Sequence, residues 1–283
     1  MKNLGYYNGR FDEIENMSIP MLDRVCFFGD GVYDATYSKN YKIYDIDKHI
    51  DRFFNSINLL EIKFSYTKLE LKNLLYKLIQ YLDTGDNFVY FQVTRGSGIR
   101  NHTFPEAENT ANLWINIYPK DVQDVYTEIK VITMEDTRFL HCNIKTLNLI
   151  PSVIASERAK EAGCFEAVFH RNGRVTECAH SNISIIKDGT FITAPTDNLI
   201  LPGITRANLL ENCKLLGIPY KEEAFYLQDL MDADEIIVSS VGALCQRVIE
   251  IDGKKVGKKN TALLRLLQDA MIKDFNIQTS IDN

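Results

Sequence analysis

The sequence predicts a mixed α/β (α+β) fold in two domains, and three observations support this prediction. Strand-like runs and amphipathic helical runs alternate irregularly through both halves of the chain. Two Asx-Gly hairpin signals lie in the second half, where a regular repeat of parallel strands and helices would have none. A polar stretch that begins with proline, PKDVQDVYT at 119–127, separates two strand-like runs and is the predicted linker. We therefore predict an N-terminal domain at residues 1–120 and a C-terminal domain at residues 121–283.

The first half contains two predicted helices and two predicted strands. The first helix follows Asp47, its predicted N-cap, and the second follows Thr67, which has capping-box spacing to Glu70. Strands are predicted at 88–94 and 113–118, where aromatic and β-branched residues are frequent. The apolar stripes that identify the two helices are Ile50, Phe53, Phe54 and Ile57, and Leu71, Leu74, Leu75 and Leu78.

The second half is predicted to contain two hairpins in addition to separate strands and helices. The hairpins are centred on Asn172-Gly173 and Asp188-Gly189. The predicted strands are 129–133, 235–239 and 247–251. The predicted helices are 148–162, 205–216 and 261–275, the first two ended by Gly163 and Gly217.

The composition is that of an ordinary globular protein, with 45% hydrophobic and 25% charged residues among 283. A formal net charge of -6 argues against a nucleic-acid partner, which needs a basic face. The sequence has neither an apolar signal segment nor an apolar run long enough to span a membrane. Six cysteines without C-x-x-C spacing predict no metal site and no disulfide framework. We therefore expect a cytoplasmic protein with small-molecule partners.

Lys145 stands among apolar residues, shortly before the helix predicted from residue 148. Most lysines are solvated surface charges, and this interpretation stays open. In an apolar environment, desolvation lowers the pKa of a lysine and makes its neutral amine available as a nucleophile. Schiff-base chemistry with a carbonyl compound or a pyridoxal cofactor needs such an amine. The apolar neighbours are Leu140, Ile144, Leu147, Leu149 and Ile150.

The stretch LPGITR places a turn at Pro202-Gly203 directly before a predicted helix. The first N–H groups of a helix have no intrahelical partner and favour an anion such as phosphate, and the Thr205 hydroxyl would add a donor. An ordinary threonine N-cap is the structural alternative. Glu177 ends a short strand before this turn and is either an exposed carboxylate or the partner of a cationic ring nitrogen.

Three further motifs carry polar side chains that suit a binding site. Arg100 and His102 lie on a glycine-rich loop, where their donors would converge on one carboxylate or face solvent. Tyr33 follows a tight glycine-containing turn and either projects its hydroxyl into a cleft or packs its ring. Arg52 lies off the apolar stripe of its helix, so periodicity alone predicts a solvated arginine.

Five stretches together resemble the fold-type IV pyridoxal-phosphate aminotransferases, and the resemblance covers nearly the whole chain. Within that family the chain is most similar to the D-amino-acid (D-alanine) branch. The resemblance implies a small N-terminal α/β domain, a C-terminal pseudobarrel domain and a homodimer. The stretches are FGDGVYDATY, RFFNS, RGSGIRNHTFP, NIKTLNL and LPGITR.

The resemblance implies a role for each matching residue. Lys145 would form the Schiff base with pyridoxal 5′-phosphate and move the substrate Cα proton, and Glu177 would face the pyridine nitrogen. Leu201 would pack against the ring. The residues implied to bind the phosphate are Arg52, Ile204, Thr205 and Ser240. For Arg52, the resemblance therefore replaces the solvated side chain that helix periodicity predicts. The residues implied to bind the substrate carboxylate are Tyr33, Arg100 and His102.

The implied reaction is transamination between a D-amino acid, such as D-alanine, and a 2-oxo acid, such as 2-oxoglutarate. Two departures from the family pattern leave the substrate preference open: His180 replaces a small residue after Glu177, and Val241 follows Ser239-Ser240 where hydroxyl residues are frequent. A 4-amino-4-deoxychorismate lyase of the same fold is therefore an alternative. A branched-chain L-aminotransferase and a catalytically silent pyridoxal-phosphate-binding protein are weaker alternatives.

Overall fold

The structure, a computed structural model, describes residues 1–105 and 111–281, which form two compact units. The first unit comprises Met1–Asp121, Ile144–Asn148 and the C-terminal segment from Phe275, and the second comprises Val122–Asn143 and Leu149–Asp274. The predicted mixed α/β fold is confirmed. The two domains predicted on either side of residue 120 stay a prediction, because a compact unit need not fold on its own.

The first unit is built on a six-stranded antiparallel sheet in the order β2-β1-β6-β5-β3-β4. Burial alternates along the first half of β5, because successive side chains point to opposite faces of a sheet. The strands are β1 (Leu4–Tyr7), β2 (Arg10–Asp12), β3 (Gly31–Lys39), β4 (Lys42–Ile43), β5 (Asn87–Thr94) and β6 (Asn112–Pro119).

The first unit contains a short 3-10 turn at Ile14–Asn16 and the helices α1 (Val25–Phe28), α2 (Ile46–Leu59) and α3 (Lys68–Ile79). The predicted capping box is confirmed, since Thr67 and Glu70 exchange hydrogen bonds at the start of α3. The N-cap predicted for α2 is wrong: the helix is capped by Asp45, whose φ of 48° lies in the left-handed region that Asp tolerates. Phe53 of α2 packs edge-on against Phe91 of β5, with 5.0 Å between ring centroids.

The second unit is built on a nine-stranded mixed sheet that forms a half-barrel. Its main path is β12-β11-β10-β13-β14-β7-β8-β9, and β15 pairs with β14. Both predicted hairpins are confirmed, with positive φ at all four turn residues. The strands are β7 (Glu128–Glu135), β8 (Glu166–Arg171), β9 (Arg174–Cys178), β10 (Asn182–Lys187), β11 (Thr190–Thr193), β12 (Tyr220–Glu222), β13 (Glu235–Ser239), β14 (Gln246–Ile251) and β15 (Lys254–Lys255).

The described residues after β7 contain four helices: α4 (Ile150–Glu161), α5 (Ile204–Leu216), α6 (Leu227–Asp232) and α7 (Thr261–Gln278). Ala155 and Ala159 of α4 pack against Ala167 and Phe169 of β8. Helix α5 ends at Gly217 in the left-handed conformation, as its sequence predicts. In the part of the chain that the structure describes, no helix is both long and apolar enough to cross a membrane.

Candidate active site

The ten predicted site residues divide between the two units. The first unit holds Tyr33, Arg52, Arg100, His102 and Lys145. The second unit holds Glu177, Leu201, Ile204, Thr205 and Ser240.

Lys145 and Tyr33 are direct neighbours. The Tyr33 amide donates a hydrogen bond to the Lys145 carbonyl oxygen over 3.0 Å, and the Lys145 Nζ lies 4.4 Å from the centroid of the Tyr33 ring. An ammonium group is attracted to the face of an aromatic ring at this distance. The Lys145 amide in turn donates to the Ser56 Oγ over 3.3 Å. Backbone and side chain of Lys145 are therefore both positioned within the first unit.

The apolar surroundings predicted for Lys145 are only partly present. Ile144 is buried in the core of the first unit, and Lys145 itself is half-buried. Leu140 and Ile150, however, are 54% and 70% exposed. The Lys145 amine lies against the Tyr33 ring, a neighbour that a sequence window around residue 145 does not contain.

Arg52 is held in a buried polar cluster with Asp34 and His49. Its guanidinium donates from Nε and Nη2 to the two Asp34 carboxylate oxygens, each over 2.8 Å. His49 Nδ1 lies 2.7 Å from Asp34 Oδ1. The Arg52 side chain is 11% exposed and that of Asp34 is fully buried. The solvated arginine that helix periodicity predicts is therefore wrong, because Asp34 on β3 pairs with this face of α2.

The pKa values of Asp34 and His49 are both lowered in this cluster, for different reasons. Burial alone would raise the pKa of Asp34, but the charge of Arg52 and contacts with His49 outweigh it and hold that pKa well below its usual range. Burial lowers the pKa of His49, and the Asp34 carboxylate offsets this only in part. At neutral pH the cluster therefore contains a carboxylate, a guanidinium and a neutral imidazole.

Arg100 and His102 both lie against Phe28 at the end of α1. The Arg100 guanidinium carbon is 5.1 Å from the Phe28 ring centroid, and the His102 ring centroid is 5.2 Å away. Both side chains are exposed. The structure thus brings Arg100 and His102 together on one aromatic ring, and Tyr33 together with Lys145, but no hydrogen bond joins the two pairs among the described residues.

The loop that carries Arg100 and His102 is fixed by Arg24. The Arg24 Nη1 donates to the carbonyl oxygens of Asn101 and Thr103, over 2.7 and 3.2 Å. The Arg24 Nε donates to the Asp30 carboxylate over 2.7 Å, which ties the loop to the turn before Tyr33. Arg24 is not among the residues predicted from sequence, although its position shortly before the motif that contains Tyr33 is a usable signal.

In the second unit, Glu177 is the next-to-last residue of β9 and a buried carboxylate with three identified donors. Arg138 forms an ion pair with its Oε1. The Asn182 side-chain amide and the Leu201 backbone amide both donate to its Oε2, over 3.1 and 3.0 Å. Of the two interpretations of Glu177, the exposed carboxylate is therefore wrong, and Leu201 lies beside Glu177 through this backbone hydrogen bond.

Arg138 links Glu177 to a second buried carboxylate, Asp136, to which its Nη2 donates over 2.9 Å. Burial alone would lower the pKa of Arg138, but the hydrogen bond with Asp136 and the charge of Glu177 raise it above its ordinary value. Arg138 is therefore a permanent cation beside Glu177. Arg138 is not predictable from sequence alone, because Arg138 and Glu177 are brought together only by the pairing of β7, β8 and β9.

The first turn of α5 presents the N–H groups of Ile204 and Thr205. Gly203 is the N-cap, provides no side-chain hydrogen bond and is followed by no acidic residue in the first turn. Free N–H groups and the helix dipole at such an end favour an anion. Ile204 and Thr205 are both buried, and Ser240 follows the last residue of β13.

The side chain of His180 contacts Glu166, a buried carboxylate on β8. Its Nδ1 lies 2.8 Å from Glu166 Oε2, which also accepts from the Ser181 hydroxyl over 3.0 Å. The side chain of His180 is 54% exposed, whereas that of Glu166 is fully buried. Glu166 therefore fixes the loop that directly follows β9.

Comparison with known proteins identifies the family. Residues 31–251 match the family model of amino-transferase class IV. The chain is 40% identical over 267 residues to the D-alanine aminotransferase of Listeria monocytogenes serotype 4b (strain F2365), with 92% of each chain covered. It is 36% identical over 278 residues to the D-alanine aminotransferase of Staphylococcus haemolyticus, with 97% of this chain and 99% of the relative covered.

Solved structures show the same fold. The branched-chain amino acid aminotransferase of Escherichia coli superposes with a TM-score of 0.88 at 20% identity and covers 99% of this chain and 97% of its own. The branched-chain aminotransferase of Thermoproteus uzoniensis, solved with norvaline, superposes with a TM-score of 0.85 at 20% identity, with 99% and 96% covered. All ten predicted site residues, from Tyr33 to Ser240, lie inside the segment that matches the family model. The chain belongs to the class IV (fold-type IV) aminotransferases.

Proposed function

We propose that this aminotransferase transfers the amino group of a D-amino acid, such as D-alanine, to a 2-oxo acid, such as 2-oxoglutarate, with pyridoxal 5′-phosphate as its cofactor. The observation that carries the proposal is the 36–40% identity to D-alanine aminotransferases over at least 92% of the chain. The adjacent, exposed Arg100 and His102 support it, since two such donors suit a substrate carboxylate.

The residues present fit pyridoxal phosphate in three respects. Lys145 provides an amine, and Glu177 provides a buried carboxylate for a protonated ring nitrogen. The start of α5, without a capping side chain or an acidic residue, provides backbone N–H donors for a phosphate. The residues proposed to bind the phosphate are Arg52, Ile204, Thr205 and Ser240, and Leu201 is proposed to contact the ring.

The cofactor, when bound, draws electrons away from the substrate Cα, and the protein directs that chemistry. Lys145 would hold the cofactor through its amine, and the same amine would move the proton at the substrate Cα. Glu177, which forms an ion pair with Arg138, would hold the proton on the ring nitrogen. Arg100, His102 and the Tyr33 hydroxyl bind the substrate carboxylate and so select which face of Cα meets Lys145.

The alternatives predicted from sequence are less well supported. The curated relatives favour transamination of a D-amino acid over the lyase reaction. The similarity to branched-chain enzymes, at 20% identity, concerns the fold alone. A silent binding protein would use Lys145 and Glu177 for the cofactor, but it would have no use for Arg100 and His102, which are proposed to bind the substrate carboxylate.

We also propose that the protein is a cytoplasmic homodimer. Ile150, Val153 and Ile154 form an apolar face on α4 and are 70%, 61% and 50% exposed, and a second copy of the chain is the proposed cover. Val153→Glu would then shift the molecular mass in light scattering towards that of one chain. All six cysteines are free thiols, a state typical of a reducing cytoplasm.

The direct test is a steady-state assay of the purified protein with pyridoxal phosphate, D-alanine and 2-oxoglutarate, in which pyruvate is measured. Pyruvate should form with D-alanine and not with L-alanine, and only when the 2-oxo acid is present. Lys145→Ala should abolish turnover, whereas the exposed Lys160→Ala should not. Pyruvate released from 4-amino-4-deoxychorismate without an acceptor would instead establish the lyase.

A further inference from the structure

Asn182, the first residue of β10, occupies the junction of three segments that carry proposed cofactor contacts. It is 6% exposed and is paired in the sheet with Ser239, the residue before Ser240. Its side-chain amide donates to Glu177 Oε2 and to the Leu201 carbonyl oxygen, each over 3.1 Å. Asn182 therefore contacts Glu177 and Leu201, which are proposed to bind the ring nitrogen and the ring face. It also pairs with the neighbour of Ser240, which is proposed to bind the phosphate.

The hydrogen bonds of Asn182, Glu177 and Leu201 form a closed ring. Leu201 donates its amide to the same Glu177 oxygen and accepts from Asn182 at its carbonyl. Both groups that face the Asn182 amide nitrogen are acceptors, so only the NH₂ end of this side chain satisfies them. Asparagine is thus the required residue type here, since aspartate has no N–H donor.

The opposite end of the Asn182 amide fits against Gly203. Gly203 has a φ of -66° and a ψ of 133°, which any residue adopts, so conformation does not require a glycine there. A Cβ at this position would overlap the Asn182 Oδ1. The glycine is therefore explained by the close approach of Asn182 to the turn that begins α5.

We propose that Asn182 is a positioning residue that fixes the Glu177 carboxylate and the first turn of α5 at one separation. This inference rests on the proposed function. Pyridoxal phosphate is rigid between its ring nitrogen and the ring carbon that bears the phosphate arm, so two separately mobile contacts would rarely engage it together. Asn182 would add little to the affinity for a ligand that uses only Glu177 or only the first turn of α5. It would add much to the affinity for a ligand that uses both.

The test measures binding to the apoprotein by quenching of protein fluorescence, with three ligands: pyridoxal phosphate, pyridoxal and inorganic phosphate. For Asn182→Ala, the dissociation constant of pyridoxal phosphate should rise about tenfold or more, as expected for loss of a hydrogen bond to a charged group. The constants for pyridoxal and for phosphate, which use one contact each, should change by less than about threefold. The melting temperature of the apoprotein should stay near that of the parent.

Two controls make the test specific. Asn212→Ala removes a half-buried asparagine that donates to Asn208 within α5, and it should leave all three constants unchanged. Gly203→Ala should weaken the binding of pyridoxal phosphate as Asn182→Ala does, because the new alanine Cβ displaces the Asn182 side chain. In the double variant the Cβ has room, so the loss should not exceed that of Asn182→Ala alone. If Asn182→Ala alone folds poorly, Gly203→Ala tests the inference by itself, and parental affinity for pyridoxal phosphate in that variant would overturn it.

Pyridoxal phosphate affinity that stays within about twofold of the parent in Asn182→Ala would overturn the inference. Equal losses for all three ligands would also overturn it, since they indicate general damage. A parent protein that binds pyridoxal phosphate and transaminates D-alanine keeps the proposed function whatever these variants do. A parent protein that binds no pyridoxal phosphate overturns both.

Discussion

Arg52 donates two parallel hydrogen bonds to Asp34, each of 2.8 Å, and this pair fixes an arginine proposed to bind the cofactor phosphate. Removal of Asp34 would leave the guanidinium buried without its counter-charge. We predict that Asp34→Ala lowers the free energy of unfolding by about 3–5 kcal/mol, the usual cost of breaking a buried ion pair. Urea unfolding measures this change.

The exposed pair of Asp51 and Lys68 on α2 and α3 offers the matched control. Because both side chains face solvent, Asp51→Ala should change the unfolding free energy far less than Asp34→Ala does. Similar losses in the two variants would show that the Asp34 pair is not structurally important.

His49 predicts a pH dependence of stability with a definite sign. Its pKa is lowered in the folded protein by burial, so between that value and the unfolded value of about 6.5 the unfolded chain binds the extra proton. Stability contributed by neutral His49 is therefore present above about pH 6.5 and is lost as the pH falls below it. The free energy of unfolding, measured by urea titration, should decrease from about pH 7.5 to about pH 5.5. Its limiting slope should be about 1.4 kcal/mol per pH unit for one proton.

His49→Asn should flatten this part of the pH profile, whereas replacement of the exposed His141 should not. An unchanged slope in His49→Asn would assign the pH dependence to other groups.

Glu177 should matter more for turnover than for cofactor binding. In Glu177→Gln a neutral amide replaces the charge proposed to hold the ring nitrogen protonated, and opposite charges near 4 Å interact by about 4 kcal/mol at intermediate dielectric. The turnover number with D-alanine should therefore fall by up to about a thousandfold. The visible absorbance of the purified variant should show that the cofactor is still bound. A variant with parental turnover would remove Glu177 from the mechanism, and the exposed Glu161→Gln is the control.

Arg100 should determine the affinity for the substrate carboxylate. Loss of a hydrogen bond to a charged group costs about 1.5–3 kcal/mol, so Arg100→Ala should raise the KM for D-alanine by about ten- to a hundredfold. The proposed role in carboxylate binding predicts a smaller effect on kcat. Arg158→Ala, which removes an exposed arginine of α4, should leave KM unchanged. A loss confined to kcat would contradict the proposed role of Arg100.

Local features of the fold could be predicted from the sequence, because each depends on neighbouring residues. The Thr67–Glu70 capping box and the Asn172-Gly173 hairpin need only a few consecutive residues to form. The end of α5 at Gly217 has the same local origin. The site residues themselves were named from family motifs, and their roles stay predictions.

The partners of those residues could not be predicted, because they come from distant strands. Asp34 meets Arg52 through the packing of β3 on α2, and helix periodicity contains no information about a buried carboxylate on a strand. Arg138 reaches Glu177 across paired strands, although the two residues are 39 positions apart in sequence. The polar groups that position a site are set by tertiary contacts, whereas sequence motifs identify the groups that they position.

The most direct test of the central claim is the visible spectrum of the cofactor-loaded protein during separate additions of D-alanine and L-alanine, without a 2-oxo acid. We expect that only D-alanine changes the cofactor band, and that about one equivalent of pyruvate appears for each site, as a single half-reaction requires. A response to L-alanine alone would contradict the proposed D-specificity, and a spectrum indifferent to both would contradict alanine as a substrate.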